Sequence, residues 1–450
     1  MRAPRRFRST KHGFRRVLQR LLSAALAGVE GSPRPPSSAA PAAHEAKGVD
    51  GRMRKGAWYG VEEPVKCQRP ECLRCLVPVT RLFSLFGLLP MRVVDGQFRF
   101  VLCHFLTLYA CVVAAALTWF SLTRVVALFA ATGPQDWVQL LTGTTFYLLG
   151  ATGALLLLQL ARKLPAVLER WADVERQVGV RDSCKWKVLV CMGVVTLSAA
   201  GETTASMFHN VPENTTGNFW LYLETYVRTG HKYEVDLLGY SRALGLAILT
   251  INKYATFLWN FVDVLVFSVA IVLLHLVRAF NAKLQNGCAT FDPIGWRDIR
   301  RDHLALLTLV QSLNASLGPL VLQSYLTNIF FTLVQLYFGL SHEHELSFFS
   351  KLYLTWSFLH LLGRLAIVSF SCALIHEESY KGISCVLEIP ENRYSLEVWR
   401  LEHQIRHEVI GLSGCGFFLV NKSFILATTG ALVTYEVILL QVSGGTATNT

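Results

Sequence analysis

Seven long apolar stretches dominate this chain of 450 residues, and they constrain its fold more than any other feature. A bilayer core requires about 20 consecutive apolar residues for each helix that crosses it. Only helices and closed barrels satisfy their backbone hydrogen bonds in lipid, and the stretches lack the apolar–polar alternation of barrel strands. We therefore predict an all-α polytopic membrane protein with seven transmembrane helices. The stretches cover residues 100–122, 137–160, 187–206, 255–277, 318–340, 353–375 and 415–441.

The composition supports a membrane protein over a soluble one. Hydrophobic residues make up 52% of the chain and charged residues 16%, whereas soluble domains carry about 25% charged residues. The net charge is +12, but 19 of the 43 Lys and Arg residues precede residue 100 and the first apolar stretch. Because the basic residues do not cover a folded domain, the charge does not indicate a nucleic-acid partner.

The distribution of Lys and Arg indicates how the helices are oriented. The N-terminal region and three alternate loops contain 35 of these residues, whereas the other three loops and the C-terminal tail contain five. Since cytoplasmic loops carry the excess of Lys and Arg, we predict a cytoplasmic N-terminus and an extracellular C-terminus. Seven-helix G-protein-coupled receptors have the opposite orientation. Among the N-x-[ST] sequons at Asn214, Asn314 and Asn421, only Asn214 lies in a predicted outer loop, where it is the expected glycosylation site.

The regions outside the apolar stretches permit several interpretations. Residues 1–64 are expected to form a basic, disordered cytoplasmic tail, although their first 30 residues are also typical of a mitochondrial transit peptide. The spacing of Cys67, Cys72 and Cys75 is that of one kind of iron–sulfur loop, or these residues form a reduced thiol cluster near the membrane. SHEHEL at 341–346 lacks the H-E-x-x-H spacing and is read as an acidic rim. We predict no metal and no cofactor.

The last apolar stretch contains the motif TYEVILLQ at residues 434–441. It resembles the TY-QF signature that ends the final helix of insect gustatory receptors, with Val442 in place of the closing Phe. Other stretches resemble the sugar-receptor branch of that family from about residue 65 to residue 441. They are SAAGETTA at 198–205, FLWNFVDVLVFSVAIVL at 257–273, GPLVLQSYLTNIFFTLVQLYFGL at 318–340 and LLGRLAIVSFSCALIHEES at 361–379.

This resemblance implies a function and an assembly. It implies a sugar-gated, non-selective cation channel for taste, in the plasma membrane of sensory neurons, with four subunits surrounding a pore lined by the last helix. Sugar or another tastant, monovalent and divalent cations and membrane lipids would be its partners, in a homotetramer or a heteromer with related receptors. The alternatives are an obligate heteromeric subunit for another tastant and a membrane transporter. No nucleophile–base or metal grouping at recognisable spacing indicates an enzyme.

Helical spacing assigns the residues of the last stretch to two faces. Thr434, Ile438 and Gln441 share one face with Val437 alongside. If the end of this helix, residues 430–441, lines the pore, four copies of Ile438 would form an apolar gate and four Gln441 amides a polar ring. Tyr435 and Glu436 point away, so Glu436 is expected to have a partner in its subunit or to lie near outer water. Residues 442–450 would form a short extracellular tail.

A sugar site requires aromatic rings for the apolar faces of the ligand and carboxylates or amides for its hydroxyl groups. Trp259 and Asp263 lie four residues apart on one helix face, and Trp356 and His360 share that spacing. Both pairs are candidates for ligand contact or for packing within the bundle. Arg364 is expected to form an ion pair or carbonyl contact inside the bundle. The full set of candidate ligand residues is Glu202, Trp259, Asp263, Asn328, Gln335, Trp356 and His360.

Overall fold

The computed structural model of the protein describes residues 71–94, 97–100, 104–130, 134–180, 182–209, 218–290, 293–341 and 348–447. Most of these residues are helical. The elements are α1 (Glu71–Leu85), β1 (Met91–Val94), β2 (Gln97–Phe100), α2 (Phe105–Ala130), α3 (Pro134–Val178), α4 (Lys185–His209), α5 (Phe219–Gly230), α6 (Lys232–Leu238), α7 (Arg242–Thr290), α8 (Pro293–Ser341), α9 (Phe348–Leu387), a 3₁₀ turn (Glu391–Arg393), α10 (Leu396–His407), β3 (Ser413–Gly414), β4 (Phe418–Leu419) and α11 (Lys422–Ala447).

Six helices in the described part of the chain are long and apolar enough to cross a membrane: α2, α3, α4, α7, α8 and α9. They coincide with the first six predicted stretches. The seventh stretch differs at its start, because residues 413–419 form the small antiparallel hairpin β3–β4 before α11 begins. Cys415 and Gly416, with φ of 53° and 77°, adopt the left-handed conformation that breaks a helix.

A second antiparallel hairpin, β1–β2, pairs Met91 with Phe100 just before α2. These two short hairpins depart from the all-α prediction. Their strands have only two or four residues each, which is too short for a period-two pattern to be recognised in a sequence.

Helix α7 is the centre of the bundle. The most apolar part of α7 is 83% buried, compared with 28% for α2 and 22% for α4. It packs against α1, α3, α4, α5, α8 and α9. Since a helix that is apolar all round belongs in the interior, its run from Phe261 to Ala270, every residue of which is buried, explains this position.

Four helices, α3, α7, α8 and α9, extend well beyond the length needed to cross a bilayer and pack together at one end of the bundle. Helix α7 has 49 residues, or about 74 Å at 1.5 Å per residue. In this region Lys283 of α7 donates to Asp302 of α8 over 2.7 Å, and Trp296 is buried in the core. An ion pair between Lys422 and Glu377 joins the first residue of α11 to α9. The extension therefore fixes the position from which α11 starts.

Candidate functional site

The inner cluster is a group of buried polar side chains where α4, α7, α8 and α9 meet. Its centre is an ion pair between Arg364 of α9 and Asp263 of α7, in which Nε of Arg364 donates to Oδ2 of Asp263 over 2.7 Å. Ser324 donates to the other carboxylate oxygen over 2.5 Å, and Asn328 donates to Oδ2 over 3.0 Å. The members of the inner cluster are Ser198, Asn260, Asp263, Ser324, Asn328, His360 and Arg364.

Side-chain amide oxygens accept hydrogen bonds from the two terminal nitrogens of the Arg364 guanidinium. One terminal nitrogen donates to Oδ1 of Asn328 over 2.8 Å and the other to Oδ1 of Asn260 over 2.9 Å. Arg364 and Asp263 are 2% and 1% exposed, so both charges lie out of contact with water. A buried charge of this kind is tolerated only with a partner and full hydrogen bonding. The arrangement provides both, and it joins three helices.

His360 extends the inner cluster toward α4. Its Nε2 lies 3.0 Å from Oδ1 of Asn260 and its Nδ1 lies 2.8 Å from Oγ of Ser198. Since the Asn260 oxygen can only accept, Nε2 carries a proton and donates to it. His360 therefore links α4, α7 and α9 with both ring nitrogens in hydrogen-bond contact.

Trp259 forms the aromatic wall of the inner cluster. The Arg364 guanidinium lies over its ring at 5.4 Å, and Phe146 and Phe331 meet it edge-on at 5.4 and 4.5 Å. Trp259 and Asp263 thus both contact Arg364 from one face of α7. The indole Nε1 of Trp259 is buried and has no hydrogen-bond partner among the described residues, so it is available to donate to a guest molecule.

The outer cluster lies about two helical turns along the same helices, toward their predicted extracellular ends. The carboxylate of Glu202 on α4 accepts from Ser357 over 3.2 Å and from Tyr353 over 3.4 Å, both on α9. Gln335 of α8 donates to Ser357 over 3.0 Å. The members of the outer cluster are Glu202, Ser206, Lys253, Gln335, Tyr353 and Ser357.

Lys253 of α7 places a positive charge on the outer cluster. Its Nζ donates to Ser206 over 3.3 Å and lies 5.8 Å from the ring of Tyr226. Tyr226 donates to Asn252, which donates in turn to Tyr147. Sequence reasoning did not select Lys253, although it was one of the few Lys or Arg residues at the edge of an apolar stretch. The outer cluster therefore combines a carboxylate, an ammonium group, an amide and hydroxyl groups.

The structure unites most of the candidate ligand residues. Asp263, Asn328 and His360 lie in the inner cluster with Trp259 against it, and Glu202 and Gln335 lie in the outer cluster. Trp356 stays outside both clusters: it is 48% exposed on the surface of α9, whereas His360 is 8% exposed.

A buried ion pair attaches the α5–α6 segment to the bundle. Nε of Arg124 on α2 donates to Glu234 of α6 over 2.8 Å, and its Nη2 lies 3.0 Å from Nδ1 of His231. Burial and then the charges of Arg124 and Lys253 lower the pKa of His231 to about 3, so this ring is neutral near pH 7. Arg124 was visible in the sequence as the single basic residue of the 123–136 loop, but its partner was not.

Among the described residues, helix α11 packs chiefly against α8 and more weakly against α9, and its predicted pore face is uncovered in a single chain. Thr434 and Gln441 are exposed, and Val437 and Ile438 are 47% and 51% exposed. Tyr435 is half-buried and lines an apolar groove of about 530 Å³ between α8 and α11. Glu436 is exposed, and no ion pair within the described residues includes it.

The β3–β4 hairpin that leads into α11 is held by α8. The side-chain amide of Asn314 donates to Gly411 O over 2.9 Å and accepts from Ser413 N over 3.1 Å. A Cβ on Gly318 would lie 3.1 Å from Cys415 N, so the absence of a side chain there permits the close approach. Both ends of the Asn314 side-chain amide thus bind backbone groups of the segment that leads into α11.

Aromatic rings continue this contact from the hairpin to α11. Phe418 and Phe424 stack at 4.3 Å, and Tyr325 of α8 meets them edge-on at 5.3 and 5.1 Å. Tyr325 is the next residue after Ser324 of the inner cluster. Asn421 caps α11 by accepting from Phe424 N over 2.8 Å. Helix α8 therefore contacts both the Asp263 carboxylate and the start of α11.

Four predicted features lie outside the part of the chain that the structure describes. They are the basic tail over residues 1–64, the glycosylation site at Asn214, Cys67 and most of SHEHEL at 341–346. The side chain of Cys72 is not described either. Within the described residues no group of three or more His, Cys, Asp or Glu residues is arranged to hold a metal ion.

Comparison with known proteins links this fold to one family. The family described as trehalose receptor matches residues 71–450. The chain is 25% identical to the Drosophila melanogaster gustatory receptor for sugar taste 64a over 324 residues, 66% of this chain and 68% of that protein. It is 30% identical to gustatory receptor for sugar taste 61a over 200 residues, 43% and 44% of the two chains. It is 23% identical to gustatory receptor 5a for trehalose over 296 residues, 63% and 65%.

Solved structures show a related fold. The insect olfactory receptor OR5 from Machilis hrabei matches with a TM-score of 0.60 at 14% sequence identity, covering 82% of this chain and 98% of that one. The structure of the same receptor in complex with eugenol matches with a TM-score of 0.57 at 12% identity and the same coverage.

Proposed function

The chain belongs to the trehalose receptor family, within the sugar branch of the insect gustatory receptors, and on that premise we propose that it is a sugar-gated, non-selective cation channel. It is a multi-pass membrane protein with the fold of an insect chemoreceptor. In the proposal, the chain resides in the plasma membrane of sensory neurons with its N-terminus in the cytoplasm. The ligand is a sugar, and the permeant ions are monovalent and divalent cations.

The single observation that carries the sugar assignment is the pair of polar clusters on the same four helices, with Trp259 against the inner cluster. Sugar hydroxyls both donate and accept, so their site requires carboxylate, amide and hydroxyl groups together. The outer cluster supplies Glu202, Gln335 and Ser357, and Trp259 offers an unused donor next to an aromatic surface. We propose that a sugar enters from the outer side between α4, α7, α8 and α9. Its hydroxyls then contact Glu202 and Gln335, and its ring lies toward Trp259.

The exposed face of α11 supports the pore assignment. Val433, Val437 and Ile438 are about half exposed on one helix. In the proposal, four copies of α11 surround a central pore, as the family resemblance implies, and these residues face one another and the pore. Ile438 then gates by excluding water, and Gln441 presents neutral amides to the permeating cation. Lipids surround the outer faces of α2 and α4, which are the least buried of the spanning helices.

Helix α8 provides a physical connection between the two sites. Asn328 and Ser324 bind the Asp263 carboxylate, while Tyr325 packs against Phe418 of β4 and Phe424 of the first turn of α11. A sugar that binds better when α8 is shifted therefore also favours a shifted α11. Opening requires only that the sugar has a higher affinity for the open state.

A direct experiment tests the proposal. The chain is expressed alone in cells that contain no other gustatory receptor, and whole-cell current is recorded during a panel of mono- and disaccharides with G-protein signalling blocked by GDP-β-S. The proposal predicts a sugar-evoked cation current that persists under the block. A sugar-evoked current that disappears under the block would contradict the proposal. A current of the same size with every compound and without any compound would also contradict it.

An obligate heteromeric subunit is the second candidate. The observation that favours it is the sequence itself, because Val442 stands where the family signature has Phe. This candidate predicts no current from the chain alone and a sugar-evoked current when a related receptor is co-expressed. A Gln441 variant that alters ion permeation in the co-expressed channel would show that this chain lines the pore.

A further inference from the structure

Two cysteines far apart in the sequence meet in the described structure. Cys75 lies in α1, and Cys184 lies directly before α4. Their Sγ atoms are 3.5 Å apart, with the Cys184 thiol donating to Cys75. Cys75 is 0% exposed and Cys184 is 3% exposed, and the two sulfurs are not joined by a disulfide. A disulfide has a sulfur–sulfur distance of about 2.05 Å, so a movement of about 1.5 Å would bring these atoms to bonding distance.

The surroundings of Cys75 favour its thiolate. Oγ of Ser183 lies 3.6 Å from Cys75 Sγ. The hydrogen bond from Cys184, followed by those from Ser183 and the Cys184 backbone, lowers the pKa of Cys75 to about 6 although its burial acts in the opposite direction. The thiolate, not the thiol, is the nucleophile in cysteine oxidation. Of the two sulfurs, Cys75 is therefore the one to attack an oxidant that reaches the pair, and Cys184 is placed 3.5 Å away to resolve the product.

We propose that Cys75 and Cys184 are a redox modification site, in which a peroxide converts the two thiols to a reversible disulfide that joins α1 to the start of α4. The Cys75 thiolate attacks one oxygen of hydrogen peroxide and forms a sulfenic acid, and hydroxide leaves. The Cys184 sulfur then attacks the sulfenic sulfur, the S–S bond forms and water leaves. In total, two thiols and one hydrogen peroxide give one disulfide and two waters. A small thiol such as glutathione reverses the reaction by exchange.

The location gives the bond a structural consequence. Both α1 and α4 pack against the central helix α7, and α4 carries Ser198 and Glu202 of the two polar clusters. Both cysteines lie on the predicted cytoplasmic side, where thiols are normally kept reduced. The bond therefore forms only under oxidant exposure, and it fixes the lower end of α4 against α1. This inference does not rest on the proposed sugar gating.

The described residues contain a matched control pair. Sγ of Cys288 lies 3.5 Å from the backbone oxygen of Cys385, so these two cysteines are also neighbours on packed helices. Here, however, the thiol donates to a carbonyl oxygen rather than to the other sulfur. Cys288 also lies at the end of a spanning helix, whereas Cys75 and Cys184 lie outside the spanning helices of the described residues. Equal oxidation of both pairs would mean that proximity alone governs the reaction.

The test uses the full chain purified in lipid nanodiscs. The protein is treated with hydrogen peroxide, its remaining thiols are alkylated, and it is digested and analysed by mass spectrometry before and after dithiothreitol. The expected result is a Cys75–Cys184 cross-linked peptide that increases with peroxide, disappears on reduction and exceeds any Cys288–Cys385 peptide at least tenfold. A Cys75 that is oxidised to sulfinic acid without cross-linking would overturn the proposal, as would equal yields from the two pairs.

Variants separate the roles of the two sulfurs. In Cys184→Ser the resolving sulfur is missing, so Cys75 should accumulate as a sulfenic acid that a dimedone probe captures. In Cys75→Ser the probe should label Cys184 much less. Labelling of Cys184 equal to that of Cys75 would contradict the assigned order. The measurement on the unmodified chain decides the proposal if either variant fails to fold.

Discussion

The guanidinium of Arg364 on α9 and the carboxylate of Asp263 on α7 lie 2.7 Å apart, and both are almost completely buried. Charges in a membrane interior are rare and costly, and they mark functional regions or bundle-specifying contacts. This pair joins α7 to α9, and its hydrogen bonds with Asn328 add α8, so the three helices that carry most of the polar side chains of both clusters are connected. In the proposed site, the Arg364–Asp263 ion pair therefore lies at the inner end, and the outer cluster contacts the ligand.

Removing one member of this pair should destabilise the protein more than removing both. Arg364→Gln leaves the Asp263 charge buried without its ion-pair partner, which costs about 3–5 kcal/mol. The double variant Asp263→Asn with Arg364→Gln leaves neutral groups that can still hydrogen-bond to Ser324 and Asn328, and should recover most of that loss. The melting temperatures of the single and the double variant are measured by heating the detergent-solubilised chains and detecting the remaining folded protein by fluorescence-detected gel filtration. Equal or additive losses in the double variant would contradict a coupled ion pair.

Glu202→Gln should weaken the response to sugar while the chain remains folded. A hydrogen bond to a charged group contributes about 1.5–3 kcal/mol, and each 1.4 kcal/mol is about a factor of ten in affinity. The sugar concentration for half-maximal current should therefore rise about tenfold or more. Glu224→Gln is the matched control, because Glu224 pairs with Arg228 on the exposed side of α5. A shift of equal size in the control would show that general surface charge, not the site, is responsible.

Trp259→Phe tests the unused indole nitrogen. The variant keeps a ring against Phe146 and Phe331 but deletes a buried donor that has no partner among the described residues. The thermal stability should stay the same or rise, because an unsatisfied buried donor costs about 1–3 kcal/mol. The sugar response should shift to higher concentration about fivefold, in line with the loss of a hydrogen bond of about 1 kcal/mol.

Trp356→Phe is the comparison for this prediction. Trp356 is 48% exposed and lies outside both clusters. Its substitution should leave the sugar dose–response curve in place. If Trp356→Phe shifted the curve and Trp259→Phe did not, the ligand would have to bind at the outer surface of α9 instead.

Acid should destabilise the protein through His231. Burial and the neighbouring Arg124 and Lys253 lower its folded-state pKa to about 3, whereas an unfolded His has a pKa of about 6.5. The unfolded state therefore binds the proton first, so stability present above pH 6.5 is lost as the pH falls from 6.5 toward 3. The slope approaches about 1.4 kcal/mol per pH unit in this window.

His231→Asn should remove this part of the acid dependence. The melting temperature of the variant should fall less steeply than that of the unmodified chain between pH 6.5 and pH 4.5. His403→Asn, at an exposed position on α10, is the control and should leave the slope unchanged. The same slope in the His231 variant would show that other groups cause the acid sensitivity.

Gln441→Arg should reduce cation permeation. If four copies of α11 line the pore, the variant places four positive charges where neutral amides stood, and cations are excluded. Gln441→Glu should have the opposite effect and raise the permeability of Ca²⁺ relative to Na⁺. Glu436→Gln changes one charge on the opposite face of the same helix and is the control. Unchanged ion selectivity in both Gln441 variants of a functional channel would remove Gln441 from the pore.

The apolar stretches and the family could be predicted from the sequence. Six stretches became helices of spanning length because hydropathy is a local property that survives folding. The family suggested by TYEVILLQ is confirmed by a match over residues 71–450. The β3–β4 hairpin was missed because its strands have only two residues each, although Ser413, Gly414 and Gly416 are typical turn residues.

The side-chain partners could be predicted only in part. The positions of Asp263, Asn328 and Arg364 attracted attention because charged and amide groups are costly in a membrane, but their mutual contacts depend on how three helices are rotated. Arg124 with Glu234 and Cys75 with Cys184 are 110 and 109 residues apart. Such pairs are set by tertiary packing, and a periodic pattern within one helix does not reveal them. Lys253 was missed because its contact with Ser206 on another helix is likewise set by tertiary packing.

The most direct measurement of the central claim uses the purified chain in a planar lipid bilayer with no other protein present. Sugar added to the side of the extracellular loops should open discrete cation-conducting events, and Glu202→Gln should require about tenfold more sugar for the same open probability. Gln441→Arg should reduce the conductance of each event without that shift. A bilayer that contains the folded chain, alone or with a related receptor, and shows no sugar-dependent conductance would contradict the account.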